Sequence, residues 1–506
     1  MLLRYSKISE PYEVRLGLLV LAVTVVRLLA ARWIPLTEDE AYYRLWAQHL
    51  HLGYYDHPPM IAWWARAGMT LAGDNPLGMR LVPVLAAGLA TWLVADITRS
   101  LGAQPETGLR ASVWYNATST IGVGGILATP DAPACLFWVL TLWSLAKVWA
   151  GGRASWWLAA GLFAGLGCIS KYSALFLAPG VLLWLLATQR GRRSLATPWP
   201  WLAMMIAGLI FSTNVVWNAQ HGWLTFAKQF GRVAPGQLHP GYLVELLLSQ
   251  FFLLNPMIAI YAGHGVIRAW RERADPKAIH LILPLVTALP FAAYLAIHSL
   301  HDRVQAHWPV PLFAALAIAA AITAEQGAQT RTAKFLRNLM ICAGLLLSTL
   351  ALTYAAFPGA RPIGRADPLL PLRGWPALAS QVATLQEREG AAWIGTANYG
   401  ALAQLAATKR IHAPMVELIE RARYGDEAAH SGFVGPDFTK PGLVVDLARR
   451  LTLADLQTCF ANVVPLGELQ RGPTGGRTKA YGVYLVRGPK ADLLKDGCPN
   501  NLGKLR

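Results

Sequence analysis

Apolar stretches long enough to cross a membrane recur along this chain, and they leave few architectures open. A helix needs about 20 apolar residues to traverse the hydrocarbon core. Such stretches lie near 15–34, 78–98, 111–129, 132–150, 155–170, 172–188, 200–217, 242–267, 279–298, 308–324 and 338–357. The fifth and sixth are short and share a polar break, so the count is about 11–13 transmembrane helices. Only 14% of the residues are charged, against about 25% in soluble domains. The 20 tryptophans and 45 glycines suit a bilayer, where aromatic belts and close helix contacts are common. Disorder, fibres and a small disulfide scaffold are excluded.

The net charge of +17 raises the question of nucleic acid. Residues 1–357 hold 26 Lys and Arg against 15 Asp and Glu, and residues 358–506 hold 19 against 13. No basic stripe with interleaved aromatics runs through either part, so nucleic-acid binding is excluded. The cations gather instead in short clusters between spans: Arg4, Lys7 and Arg15; Arg99 and Arg110; Lys147 and Arg153; Arg190, Arg192 and Arg193; Arg268, Arg271, Arg273 and Lys277; Arg331, Lys334 and Arg337. With eleven spans all of these fall on one side. Positive loops mark the cytoplasmic face, which puts the N-terminus inside and residues 358–506 outside. The first span lacks a small-residue cleavage site and reads as a retained anchor.

The expected division is therefore a transmembrane domain, 1–357, with outer-face loop helices near 38–75, and a soluble α/β domain, 358–506. The latter follows a Pro- and Gly-rich linker after Phe357. In it Ala391–Asn398, Gly442–Asp446 and Ala480–Arg487 read as strands, and Tyr399–Thr408 and Leu453–Phe460 as helices. Cys459 and Cys498 either pair, as an oxidising compartment allows, or stand as separate thiols. Cys135, Cys168 and Cys342 read as buried packing residues. Gly161 and Gly165 have small-xxx-small spacing, which signals helix packing. The Asn116 sequon sits within a span and is discounted.

Carboxylates sort opposite to the cations. Glu38, Asp39, Glu40, Asp56 and Asp74 all lie in the first outer loop. There Tyr42, Leu45, Trp46, His49 and Leu50 recur near one helical face, which predicts an amphipathic helix in the membrane interface. Thr37 caps it, and Glu40 completes a capping box. A second such helix starts at Pro58-Pro59, with Ile61, Trp63, Trp64 and Leu71 toward lipid. Carboxylates in a first turn are favoured by the helix dipole alone. Asp56-His57, just before the second helix, adds a different prospect: two acid-bearing helix starts facing one outer cavity. A carboxylate and an imidazole there can serve as base, metal ligand or phosphate partner.

Asp39-Glu40-Ala41-Tyr42-Tyr43, followed by Tyr54-Tyr55-Asp56-His57-Pro58-Pro59, resembles the GT-C glycosyltransferases of family 39. These include the protein O-mannosyltransferases and the lipid A aminoarabinose transferases. The resemblance implies a polytopic α-helical GT-C fold with a periplasmic C-terminal domain, in the bacterial inner membrane. It implies sugar transfer from a polyprenyl-phosphate donor to a lipid A-like lipid, a glycan or a protein at the outer face, by a single inverting displacement. It also implies that Asp39, with Glu40 beside it, lies at the reacting centre and takes the proton of an acceptor hydroxyl or orients it. Asp56 falls where the family places an acidic residue, sometimes associated with a metal, and it and Tyr55 beside it are candidate substrate contacts. His57 replaces a Lys that in the aminoarabinose transferases meets the donor phosphate. A histidine does so as a cation only if its pKa is raised, which a phosphate can do.

Other candidates follow from the expected topology. Asp131 sits at the membrane rim after the third span, where a solvated turn is the alternative. Lys171 interrupts an apolar run; ionisable residues there are usually functional, with snorkelling as the alternative, and it is read as a phosphate contact. His298, His301, Asp302, Arg303 and His307 crowd one outer turn, with Arg303 the best second phosphate clamp and His307 a further substrate contact. No cofactor is firmly implied; a divalent metal stays open, with Asp56 and His221 as candidate ligands. A transporter or flippase of lipid-linked sugars is the alternative function. It calls for inverted repeats and midplane ionisable groups, whereas here the ionisable residues sit at the outer rim.

Overall fold

The computed structural model describes residues 10–231, 237–271, 282–327, 330–357, 367–419, 436–472, 478–490, 493 and 498. Arg4, Lys7, Arg273, Lys277 and the Pro- and Gly-rich linker after Phe357 lie outside the described residues. The chain forms two compact units, one of Met1–Arg32 with His57–Thr353 and the other of Trp33–Asp56 with Tyr354–Arg506. The first loop helix thus groups with the C-terminal residues, whereas the sequence placed both loop helices with the membrane spans.

The first unit is helical. It begins with α1 (Glu10–Trp33). The next helix in the chain, α2 (Glu38–Gln48), belongs to the other unit, and the first unit resumes with α3 (Met60–Ala72), α4 (Pro76–Ser100), α5 (Pro105–Ala117), α6 (Ser119–Gly124) and α7 (Asp131–Trp149). Next are α8 (Trp156–Cys168), a 3-10 turn (Tyr172–Phe176), α9 (Leu177–Ala187), α10 (Gln189–Leu195), α11 (Trp199–Gln220) and α12 (Leu224–Phe230). The last are α13 (Pro240–Leu253), α14 (Pro256–Arg271), α15 (Ile282–His298), α16 (Phe313–Gln326) and α17 (Arg331–Ala356).

Among the described residues five helices are long and apolar enough to cross a membrane, or seven if each of two bent pairs is one span. Leu18, Leu21 and Leu29 of α1 and Leu346, Leu347 and Leu350 of α17 are exposed, as lipid-facing side chains are. The Ala-rich α16 is buried along almost its whole length.

Several expected spans are interrupted. The stretch 242–267 is two helices, α13 and α14, bent by 113°. Asn255 at the break adopts φ of 76°, which asparagine tolerates better than most residues, and Pro256 cannot supply the N–H a continuous helix needs. The stretch 111–129 breaks at Thr118, whose hydroxyl caps α6. Arg27, buried on α1, crosses to this break and donates to Asn116 Oδ1 and to the Ile121 carbonyl, both at 2.8 Å. Asn116 is thus a buried network residue. Arg190, in the basic cluster on α10, donates to the carbonyls of Trp149 and Val148 at 2.5 and 3.2 Å. A cation at the C-terminus of α7 is favoured by its dipole, so the cluster also has a structural use. Gly161 and Gly165 lie against Ala203 and Ala207 of α11, the close approach their spacing predicts.

The second loop helix corrects the expected lipid face. Ile61 on α3 is fully buried, Trp63 and Trp64 pack against the core, and Leu71 alone of the four is strongly exposed. Cys168 is buried and Cys135 partly so, but Cys342 is exposed, against the expectation of a packing residue.

The second unit carries α2, α18 (Trp375–Arg388), β1 (Trp393–Thr396), α19 (Tyr399–Ala407), β2 (Met415–Glu417), β3 (Gly442–Leu447), α20 (Leu453–Cys459), β4 (Phe460–Arg471) and β5 (Lys479–Pro489). The sheet order is β2-β1-β3-β5-β4. β1 runs parallel to both β2 and β3, and β5 runs antiparallel to β3 and β4. β3 is buried at every position, as a central strand covered on both faces must be. Cys459 and Cys498 form a disulfide. All five elements expected here from sequence are present; α18, β2 and β4 were not anticipated.

Candidate functional site

Within the second unit, α2 is set by its cap. The Thr37 hydroxyl accepts from the Glu40 amide at 3.1 Å, and Glu40 Oε2 accepts from the Thr37 amide at 2.9 Å. Glu40 is fully buried in this box, so its carboxylate has a structural use, although the sequence paired it with Asp39 at a reacting centre. Asp39, one residue earlier, is exposed. A carboxylate in the first turn is stabilised by the amide N–H groups there and by the helix dipole.

Tyr42 and Trp46, on the apolar side of α2, are covered by protein rather than by lipid as the amphipathic pattern suggested, whereas Leu50 is exposed. Tyr42 packs edge-on against Tyr399 of α19, with ring centroids 5.2 Å apart, and Trp46 stacks on Tyr54 at 4.3 Å. The Tyr54 hydroxyl donates to the His49 and Trp46 carbonyls at 2.8 and 3.1 Å and accepts from the His51 amide. Tyr54 thereby folds the loop back on α2, which explains one aromatic of the Tyr-Tyr-Asp-His tract. Tyr55 is half-buried and Asp56 is buried. The boundary between the two units falls between Asp56 and His57.

In the first unit, the structure brings three candidates together. Asp131 is the first residue of α7, at the end where the dipole favours an anion. Lys171 lies in the break between α8 and the 3-10 turn, its amide bonded to the Gly167 carbonyl. Lys171 Nζ is 2.6 Å from Asp131 Oδ1, and His307 Nε2 is 3.6 Å from Asp131 Oδ2. The lysine and aspartate are mostly covered while the histidine is half-exposed. An ammonium has three donors, so Lys171 can hold Asp131 and still meet an anion.

Arg303 does not join this group. It pairs with Glu245 on α13 at 3.1 Å and lies over the Tyr242 ring at 5.3 Å. His221 stacks on Trp217 at 4.1 Å, with Nδ1 2.7 Å from the Trp217 carbonyl. Among the described residues no group of three or more His, Cys, Asp or Glu side chains converges as a metal site. Tyr399 is the residue sequence reasoning missed. It lies in a predicted helix of the C-terminal domain with no motif around it, and its hydroxyl is 2.8 Å from Asp39 Oδ1.

Residues 56–217 match the family described as dolichyl-phosphate-mannose-protein mannosyltransferase. The chain is 27% identical over 284 residues to the lipid A galacturonosyltransferase RgtD of Rhizobium johnstonii, covering 55% of this chain and 58% of that protein. It is 26% identical over 288 residues to the undecaprenyl phosphate-alpha-4-amino-4-deoxy-L-arabinose arabinosyl transferase of Pseudomonas paraeruginosa, covering 51% and 50%. The chain thus spans about half the length of these curated relatives. Among solved structures, ArnT from Cupriavidus metallidurans bound to undecaprenyl phosphate superposes with a TM-score of 0.64 at 12% identity, over 94% of this chain and 98% of that one. The Archaeoglobus fulgidus oligosaccharyltransferase gives 0.53 at 12% identity, over 86% and 69%. At such identities the likeness is one of fold. The chain is a polytopic helical membrane protein whose fold is like that of ArnT and whose sequence resembles the lipid A sugar transferases.

Proposed function

We propose that this chain transfers a sugar from a polyprenyl-phosphate donor to a lipid acceptor of the lipid A kind, at the periplasmic face of the bacterial inner membrane. The observation that carries the reading is the division of labour on α2. Glu40 is occupied by the cap, and Asp39 is presented to solvent one residue away. The donor and acceptor classes come from the names of the relatives. The basic clusters between spans favour a cytoplasmic N-terminus and a periplasmic C-terminal domain.

In this reading Asp39 accepts the proton of an acceptor hydroxyl as that oxygen attacks the anomeric carbon. The new C–O bond forms as the bond from that carbon to the phosphate oxygen breaks, and polyprenyl phosphate leaves with the bonding electrons. One displacement inverts the anomeric centre. Lys171, held by Asp131, and His307 meet the phosphate, whose negative charge grows as it departs. Asp56 and His57, with Tyr55, contact the donor.

Asp39→Asn tests the reading. Full-length protein is incubated with a polyprenyl-phosphate sugar and lipid A, and release of free polyprenyl phosphate is followed. The variant should fold and insert normally yet lose transfer. Near-normal turnover by Asp39→Asn refutes the role of Asp39, and movement of intact donor across the membrane without release favours a flippase. Glycolipid profiling of a deletion strain by mass spectrometry then reads sugar and acceptor together. A missing mass on a glycan or a protein reassigns the acceptor.

A further inference from the structure

The C-terminal domain places a side chain on the carboxylate proposed as the base. In its sheet, β1 lies between β2 on one side and β3 on the other, both parallel to it. The chain leaves β1 through Asn398, whose side chain caps α19 by accepting from the Gly400 and Ala401 amides. It then returns to β2, while β3 continues on the opposite side. Where connections diverge in this way, a crevice opens beyond the carboxyl ends of the strands, and α/β domains bind ligands there. Here α2 lies against α19.

Three contacts fix that arrangement, all inside one compact unit. Gln404 Nε2 donates to the Leu36 carbonyl at 2.8 Å in a buried bond. Gly400 passes Glu38 so closely that a Cβ there would lie 2.9 Å from Glu38 Oε2. The Tyr399 ring meets Tyr42 edge-on, and its hydroxyl donates to Asp39 Oδ1 at 2.8 Å. The first two contacts and the ring pairing join α2 to α19 independently of the phenolic hydroxyl. The phenolic hydrogen bond adds something packing does not require, since it ends on an exposed oxygen.

We propose that Tyr399 is a positioning residue for Asp39, fixing the rotation of its carboxylate so that Oδ2 faces the acceptor hydroxyl. This rests on the reading of Asp39 as the base. Asp39 Oδ2 makes no hydrogen bond among the described residues, so one oxygen is held and the other stays available for a proton. A carboxylate on an exposed first turn otherwise rotates freely, and a base acts only from hydrogen-bonding distance in the right orientation. The C-terminal domain therefore sets the aim of the reacting group as well as covering α2.

Tyr399→Phe removes the hydroxyl and keeps the ring against Tyr42. The test uses full-length protein in detergent with lipid A and a panel of undecaprenyl phosphate-linked sugars, namely 4-amino-4-deoxy-L-arabinose, galacturonic acid and mannose. The expected result is a fall in kcat of about 10- to 100-fold. The donor KM and the Kd for undecaprenyl phosphate should stay within about twofold, with an unchanged Tm. Gln404→Leu serves as the packing control and should lower Tm instead. Full kcat in Tyr399→Phe while Asp39→Asn is inactive overturns the positioning role and leaves the base assignment standing. A fall in kcat that only tracks a fall in Tm also overturns it. Activity in Asp39→Asn, or no turnover of any donor by the unaltered chain, defeats the underlying reading first.

Discussion

Lys171 Nζ and Asp131 Oδ1 are 2.6 Å apart, with the two side chains only 15% and 13% exposed. Neither residue lies near the other in sequence, and each is placed by a helix end: Asp131 by the start of α7, Lys171 by the break after α8. A pair this well covered is costly to assemble, and breaking it leaves one charge without its partner. In the proposed function the pair keeps an ammonium fixed for the donor phosphate.

Lys171→Met should therefore weaken the binding of undecaprenyl phosphate about tenfold or more and lower stability by about 3 kcal/mol. Lys171→Arg keeps the charge and should recover part of both losses. Titration with undecaprenyl phosphate and thermal melting in detergent separate the two effects. Donor binding unchanged in Lys171→Met would show that the pair is structural only.

Glu40 and Asp39 are neighbours with opposite expected sensitivities. Glutamine also serves in a capping box, so Glu40→Gln should keep both Tm and transfer close to normal. Glu40→Ala removes the box and should cost about 1 kcal/mol. Both are read by melting and by polyprenyl phosphate release. If Glu40→Gln proves as inactive as Asp39→Asn, Glu40 takes part in the chemistry.

Much of this was legible because periodicity and capping are local. The Thr37–Glu40 box, the Gly161–Gly165 approach and the elements β1, α19, β3, α20 and β5 each follow from a few consecutive residues. What failed depended on partners distant in sequence. The aromatic face of α2 looks the same whether lipid or α19 covers it, and Ile61 does not reveal that its neighbours are protein. Asn255 ends a helix inside an apolar run that reads as continuous by composition. β4 is an edge strand whose register shifts between Pro465 and Gly467, which blurs its alternation. Arg303 carries suitable chemistry for a phosphate clamp, but only the fold shows that Glu245 engages it. Tyr399 and Asp39 are 360 residues apart, so no pattern along the chain could join them.

Two glycines one helical turn apart bring α8 onto α11, and that contact should be measurable. A Cβ at Gly161 would fall on the backbone of Ala203, which has no rotamer to yield. Gly161→Ala should cost about 1–3 kcal/mol as the helices separate. Gly208, on α11 itself, has nothing within 4 Å of such a Cβ, and Gly208→Ala should be neutral or stabilising by up to about 1 kcal/mol. Melting curves of the two variants in one detergent decide the point. Equal behaviour would mean that α8 and α11 do not pack at Gly161.

Asp446 predicts a pH dependence located in the C-terminal domain. It is fully buried on β3, where Oδ1 accepts from the Leu447 amide at 2.6 Å and Oδ2 from the Ala397 amide at 2.8 Å. Burial pushes its pKa up to about 6, and the two amide bonds and Arg450 only partly offset that. Glu38 acts in the same direction as burial. Because the folded-state pKa lies above the ordinary value of 3.8, the folded state binds the proton more tightly than the unfolded chain. The associated stability is fully present below about pH 4 and is lost as pH rises through about 6. The whole effect is on the order of 3 kcal/mol. The informative quantity is the difference between unaltered protein and Asp446→Asn, in which contributions common to both cancel. Thermal midpoints of the full-length protein at a series of pH values should diverge between pH 4 and 7, with the unaltered protein losing ground relative to the variant as pH rises. Parallel curves would show that Asp446 titrates alike in the folded and unfolded states.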